Sequence, residues 1–213
     1  MASLRDADIR CLARQERADL AAFLTTLPPQ QWQAPTLCAR WRVRDVVAHI
    51  ISYDDLDTRG LLTLAARGRL RPERVNDLAL ARHHAHTPEQ LLDLLTRHLQ
   101  PRGLPAALGG RVGLVEALIH HQDIRRALGQ PRAIPPQRLL PALGTALLAP
   151  DIGGCWRARG VRLVATDLQF SAGIGPEARG TAEALLMTIA GRRGVATELS
   201  GPGQRKLANR IGG

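Results

Sequence analysis

The stretch VEALIHHQDIRR constrains this chain more than any other. Glu116 and His120 stand four positions apart, which on a helix puts both side chains on one face, about one turn apart. With Glu116 at zero on a wheel of about 100° per residue, His120 falls near ~40° and Asp123 near ~340°. Val112, Ala117, Ile119 and Ile124 flank that arc, so the acid and the imidazole lie within an apolar face. A carboxylate buried without a partner is costly, and the fold must bring it one. His49, inside RVRDVVAHI on a separate helical segment, completes a two-His, one-carboxylate set. That is the composition of a catalytic zinc site with open positions. Two plainer readings stand beside it: Glu116 and His120 as a hydrogen-bonded pair within one helix, and His49 as a satisfied core imidazole. His121 points about 100° away from His120 and is the poorer ligand.

The surrounding pattern predicts helices. Ile9, Leu12, Leu20, Leu24 and Leu27 recur at helical spacing over residues from about 5 to 27, and Pro28-Pro29 stops the run. A second helix is expected from near Val43 past His49 toward Arg59, with Asp45 in its first turn. Thr87-Pro88-Glu89-Gln90 reads as an N-cap, a first-turn proline and a capping-box glutamine, followed by Leu91, Leu92, Leu94, Leu95 and Leu99. The fourth helix covers about 111 to 128 and ends at Gly129. Four such helices predict a bundle.

After Pro135-Pro136 the texture changes. A short helical stretch around 137–148 leads to GVRLVATD, where Val161, Leu163 and Ala165 alternate with Arg162, Val164 and Thr166 as in a strand. GIGPEARG then reads as a glycine turn feeding a helix, with Pro176 near its start, and a further short strand is expected around Val195–Leu199. Such a turn also suits a carboxylate or phosphate on backbone N–H groups, although G-x-G-x-x-G spacing is absent. The expected organisation is α+β: a helical bundle over 1–148, then a small α/β domain over 149–213.

Composition narrows the function classes. Of 29 basic residues 28 are arginine, Lys206 being the lone lysine, and the formal net charge is +10. The arginines are spread along the chain and aromatics make up 3%, which argues against nucleic-acid binding and for a small anionic substrate. The arginine bias with abundant Ala, Gly and Leu suggests a GC-rich genome. There is no run of eighteen uncharged apolar residues and no apolar signal core near residue 1; a cytoplasmic protein with no membrane partner is expected. Cys11, Cys38 and Cys155 have no C-x-x-C spacing and are expected as thiols, Cys38 in a packing role. RHHAH, at residues 82–86, is expected in a solvated loop.

Taken in order, W-x-x-PTLCARW-x-VRDVVAHI, E-x-x-x-HHQDIRR-x-LG-x-P and GVRLVATD…GIGPEARGTAEALLMTIAGR…LSGPG resemble the mycothiol-dependent maleylpyruvate isomerase family of actinobacteria. The resemblance spans nearly the whole chain. It implies a DinB-like four-helix bundle followed by a small α/β domain. It also implies a divalent metal, zinc by default, on His49, Glu116 and His120, and a functional arginine in the C-terminal domain. Arg192 is the nearest match for that arginine, with Arg193 as the competing assignment. Asp123 is implied as a partner behind the ligands or in helix packing, and Arg125 and Arg126 as ion-pair or substrate-side residues. The chain departs from the family at Arg42, where a Ser or Thr would cap the helix better, at Ala127 and at His121. The activity implied is that of an isomerase or transferase using a low-molecular-weight thiol such as mycothiol on a small electrophilic anion. A zinc hydrolase needs the same ligands, and a non-catalytic ligand-binding module needs only the fold. The sequence does not choose between monomer and homodimer.

Overall fold

The computed structural model describes residues 5–212, and the chain divides into two units, 1–131 and 132–213. The first unit is helical: α1 (Asp6–Leu24), α2 (Val43–Ile51), α3 (Thr58–Arg67), α4 (Pro72–Ala81), α5 (Pro88–Arg97) and α6 (Arg111–Ala127). Helices α1, α6, α2 and α5 pack in a closed ring, each against the next. This is the predicted four-helix bundle. Its core gathers Leu20, Leu24, Val46, Val47, Ile50, Leu91, Leu95 and Ile124, the residues that recur at helical spacing in each segment.

The local signals act as expected at several ends. Thr87 Oγ1 accepts from Gln90 N at 3.3 Å, and Gln90 Oε1 accepts from Thr87 N at 2.8 Å. Gly129 turns α6 off at φ +66°, and Gln130 N closes on Arg125 O at 2.9 Å. At Arg42 the loss of a Ser or Thr cap is offset from inside the helix: Asp45 Oδ2 accepts from Arg42 N at 3.0 Å.

Three expectations in this unit are corrected. The second helix stops at Ile51 instead of running toward Arg59. Asp54 is drawn into the core, where both carboxylate oxygens accept from Arg17 Nη1, at 3.0 and 2.9 Å. Asp57 then caps a new helix by accepting from Gly60 N at 2.7 Å. The hairpin of α3 and α4 has no counterpart in the sequence pattern. Leu64, Ala79 and Tyr53 form its small core with Leu56, Leu61, Val75 and Leu78. The RHHAH segment is not uniformly solvated, because His83 and His86 are half-buried with ring centroids 5.2 Å apart.

Burial, with repulsion from His86 and Arg82, pushes the His83 imidazole down to about 4, against the pull of Asp55. Its folded value therefore lies below the ordinary ~6.5 of the unfolded chain. Between those values the unfolded chain binds more protons, so this contribution to stability is present above ~6.5 and is lost as pH falls toward about 4. His83→Gln is expected to flatten the fall in thermal midpoint between about pH 7 and about 4.5. An unaltered slope would remove His83 as its source.

The second unit holds α7 (Pro136–Leu148), α8 (Gly154–Ala158), β1 (Arg162–Ala165), β2 (Ser171–Ala172), β3 (Glu177–Gly180), α9 (Ala182–Ile189) and α10 (Gln204–Ile211). The domain boundary expected at 148/149 moves to 131/132. The reason is that α7 packs on α9 and α8, burying Leu139, Ala142, Leu143 and Ala146 in this unit's core. The ends of the two expected domains, Met1–Leu4 and Gly213, lie outside the described residues.

β1 is the central strand, antiparallel to β2 and parallel to β3, with Leu163 opposite both Ala172 and Ala178. Leu163 and Ala165 are buried and Arg162 is exposed, the alternation read from the sequence. Two readings fail. Residues Val195–Glu198 form a 3-10 turn, and pairing is confined to a bridge between Arg179 and Ser200. GIGPEARG does not open a helix: Pro176 precedes β3, and α9 begins later, capped by Thr181. Its glycines serve backbone approach. A Cβ at Gly175, φ +131°, would stand 2.5 Å from Gly160 O. Without a helix N-terminus behind it, the motif loses the anion-binding reading.

Among the described residues no helix is long and apolar enough to cross a membrane.

Candidate metal site

The site lies within the first unit. α2 contributes His49 from its last turn; α6 contributes Glu116 and His120 one turn apart. These helices pack directly, which brings the three side chains together. His49 Nε2 lies 3.3 Å from Glu116 Oε1, and the His49 and His120 rings meet edge to face at 5.0 Å between centroids. His49 and His120 are each 8% exposed, so water competes little for their nitrogens.

Two polar atoms here are anomalous. His49 Nδ1 and Glu116 Oε2 are buried without a hydrogen-bond partner. Buried carboxylate oxygens and ring nitrogens are nearly always satisfied, and exceptions point to a missing ion, water or role. Burial pushes the Glu116 carboxyl up, but the hydrogen bond and charge of His49, with the charges of Arg17 and His120, hold it below its ordinary range. Glu116 is thus an anion facing two imidazoles. A divalent cation fits this donor set, with zinc the default for two imidazoles and a carboxylate.

The supports were only partly legible in the sequence. Asp123 is fully buried, and its Oδ2 lies 2.9 Å from His120 Nδ1. That contact would leave Nε2 as the nitrogen available to a cation. Asp123→Asn is expected to weaken metal affinity about 10- to 100-fold while leaving the fold intact, read by competition with a chromophoric chelator. Unchanged affinity would reduce Asp123 to a packing residue. The Trp41 ring lies tilted against that of His49, 4.5 Å between centroids, and 5.9 Å from that of His120. It arrives on a loop closed by the Pro35–Arg42 bridge and pinned to α6 by Leu37 N donating to Asp123 O at 3.2 Å. Tyr53 stands edge-on to His49 at 5.9 Å and donates to Asn76 Oδ1 at 2.6 Å. Burial and the Glu116 charge push its phenol up to about 12, so it is a neutral donor at neutral pH. The tryptophan gave no chemical signal in the sequence; only the loop's closure places it.

The same loop places Cys38 beside His120 and Asp123. It packs against the bundle core, as expected, but one ligand atom each of Cys38, His120 and Asp123 also lie within 4.8 Å of one another.

His121 is occupied elsewhere. Arg125 Nε donates to its Nε2 at 2.9 Å, which leaves Nδ1 as the protonated nitrogen facing Glu16 Oε1 at 2.9 Å. Glu16 and His121 are fully buried, and the Arg125 guanidinium lies 3.9 Å over the Phe23 ring. This triad locks α6 to α1, and Arg125 is thereby a structural residue. Arg192 belongs to the second unit, where Nη1 donates to Ala190 O at 2.7 Å and its charge lies near Arg157. Arg193, the competing assignment, is exposed beside Gly212.

The first unit is a four-helix bundle in which His49, Glu116 and His120 come together, and a small α/β unit follows it in the chain. Residues 13–102 match the family model of the mycothiol maleylpyruvate isomerase N-terminal domain. Two solved structures share the fold of the whole chain. The crystal structure of the mycothiol-dependent maleylpyruvate isomerase is 17% identical, with TM-score 0.61 over 93% of each chain. That of a histidine-to-alanine mutant of such an isomerase is 17% identical, with TM-score 0.62 over 93% of each chain. No curated protein matches the chain.

Proposed function

We propose that this protein is a metal-dependent enzyme that uses a low-molecular-weight thiol such as mycothiol to isomerise, or transfer the thiol to, a small anionic electrophile. The observation that carries the reading is the pairing of His49 with Glu116 at 3.3 Å beside His120, with His49 Nδ1 and Glu116 Oε2 buried and unpartnered. His49, Glu116 and His120 would hold the metal, zinc by default. Bound there, it would keep a coordinated thiol deprotonated at neutral pH, so that the thiolate adds to an electrophilic carbon.

The chain's own groups serve that chemistry. Asp123 holds the His120 tautomer, Trp41 covers both imidazoles against solvent, and Tyr53 keeps its proton as a neutral donor beside His49. The family match and the shared fold support the thiol-dependent reading over a hydrolase.

The test is metal analysis of the purified protein together with turnover of a cis-configured unsaturated dicarboxylate with and without mycothiol. Stoichiometric metal and thiol-dependent turnover are expected. A metal-free protein with full activity would reject the mechanism, and metal-dependent hydrolysis without thiol would replace it by the water-activating one.

A further inference from the structure

We propose that Cys38, His120 and Asp123 form a second metal-binding set, one that takes a thiophilic divalent cation through a cysteine thiolate. One ligand atom from each lies within 4.8 Å of the other two. In a tetrahedral site with metal–sulfur near ~2.3 Å and metal–nitrogen near ~2.0 Å, neighbouring donors stand about 3.5 Å apart. Modest side-chain rotation closes the difference.

The set is built into the fold. Asp123 is fully buried and His120 nearly so, while Cys38 is half-buried, which leaves a side open to solvent for an ion to enter. The loop carrying Cys38 is held on both flanks. Thr36 Oγ1 accepts from Cys38 N at 3.2 Å and donates to Trp41 O at 2.9 Å; Leu37 N donates to Asp123 O at 3.2 Å. These bonds fix the thiol against the α6 turn that carries both other donors. The other two cysteines, Cys11 and Cys155, are exposed and belong to no such group among the described residues.

The donor chemistry differs from that of the first set. His49 and Glu116 offer nitrogen and oxygen, whereas Cys38 adds a soft sulfur that favours zinc or cadmium over magnesium or calcium. Binding releases the thiol proton to solvent, moves the His120 ring proton from Nδ1 to Nε2, and forms metal–sulfur and metal–nitrogen bonds with no redox change. His120 is common to both sets, a consequence that rests on the proposed function. A cation on Cys38 and Asp123 takes up His120 Nδ1 and removes the carboxylate contact that orients the ring toward His49 and Glu116. Excess thiophilic metal is thereby an inhibitor through the same histidine.

The experiment is a cobalt(II) titration of the metal-stripped full chain, followed by absorption. The Cys38 set is expected to give a near-ultraviolet sulfur-to-cobalt charge-transfer band. That band should be lost in Cys38→Ser, kept in the Cys11→Ser/Cys155→Ser double variant, and kept in Glu116→Gln, since Glu116 belongs to the first set alone. Visible ligand-field bands without any charge-transfer band in the wild type would overturn the second set and leave the proposed function standing. Loss of the band in Glu116→Gln would also overturn it, by making Cys38 a ligand of the first set. A charge-transfer band in a protein whose ligand-field bands are unaffected by Glu116→Gln and His49→Ala would sink the proposed function and leave the Cys38 set in place.

Discussion

His49→Ala is expected to empty the metal site and lower thiol-dependent turnover about 10³-fold or more. Electrostatic stabilisation by a bound metal is worth several kcal/mol, and each ~1.4 kcal/mol is tenfold in rate. The substitution removes one of the three proposed ligands and leaves Glu116 as a buried carboxylate without its 3.3 Å partner. The readouts are metal content by elemental analysis and turnover at saturating thiol. Circular dichroism should show the helices in place, because His49 lies at the last turn of α2 and the core of that helix is made by Val43, Val46, Val47 and Ile50. His49→Gln should fail in the same way despite its polar side chain. A variant that keeps its metal and its rate would show that the imidazole is a core residue after all.

Arg17→Met is expected to cost about 3–5 kcal/mol of stability, the range for breaking a buried ion pair on one side. Arg17 is fully buried in α1. Nη1 donates to both oxygens of Asp54 and to His98 O at 2.6 Å, and Nη2 donates to Ile50 O at 3.1 Å. Asp54 Oδ1 also accepts from Arg102 N at 2.8 Å. One guanidinium thus ties α1 to the end of α2, the end of α5 and the segment entering α6. Removing it strands the carboxylate and the two carbonyls in the core. Burial raises the Asp54 carboxyl even against the pull of Arg17, so desolvation offsets much of the attraction between the pair. Arg17→Met/Asp54→Leu should therefore recover most of the loss. Native-state hydrogen exchange of α1 and α2 amides reads this within the first unit, independently of the second. A double variant as unstable as the sum of the two singles would contradict the desolvation argument.

The bundle was legible because its signals are local. Each of α1, α2, α5 and α6 carries its apolar period and its own stop or cap, as in Thr87–Gln90 and Gly129. The α3–α4 hairpin was not legible. Its segments are short, and α3 buries little beyond Leu64, so the period is too weak to stand out. GIGPEARG misled because glycines before a helical pattern look the same whether a four-residue strand intervenes or not. The α7 boundary misled because a Pro-Pro pair marks where a helix begins, not which core receives it.

For the site, residue spacing alone determined that Glu116 and His120 share an apolar face: a helix has one geometry, and four positions make about one turn in any of them. Which second helix would meet that face, and that His49 would reach Glu116, depended on the packing of α2 against α6, segments far apart in the chain. A loop whose sequence carries no periodicity brought Trp41 to the His49 and His120 rings and Cys38 to His120. Periodicity is written into consecutive residues and can be read from them. Contact between distant segments is a property of the whole core, settled only when every apolar face has found its partner.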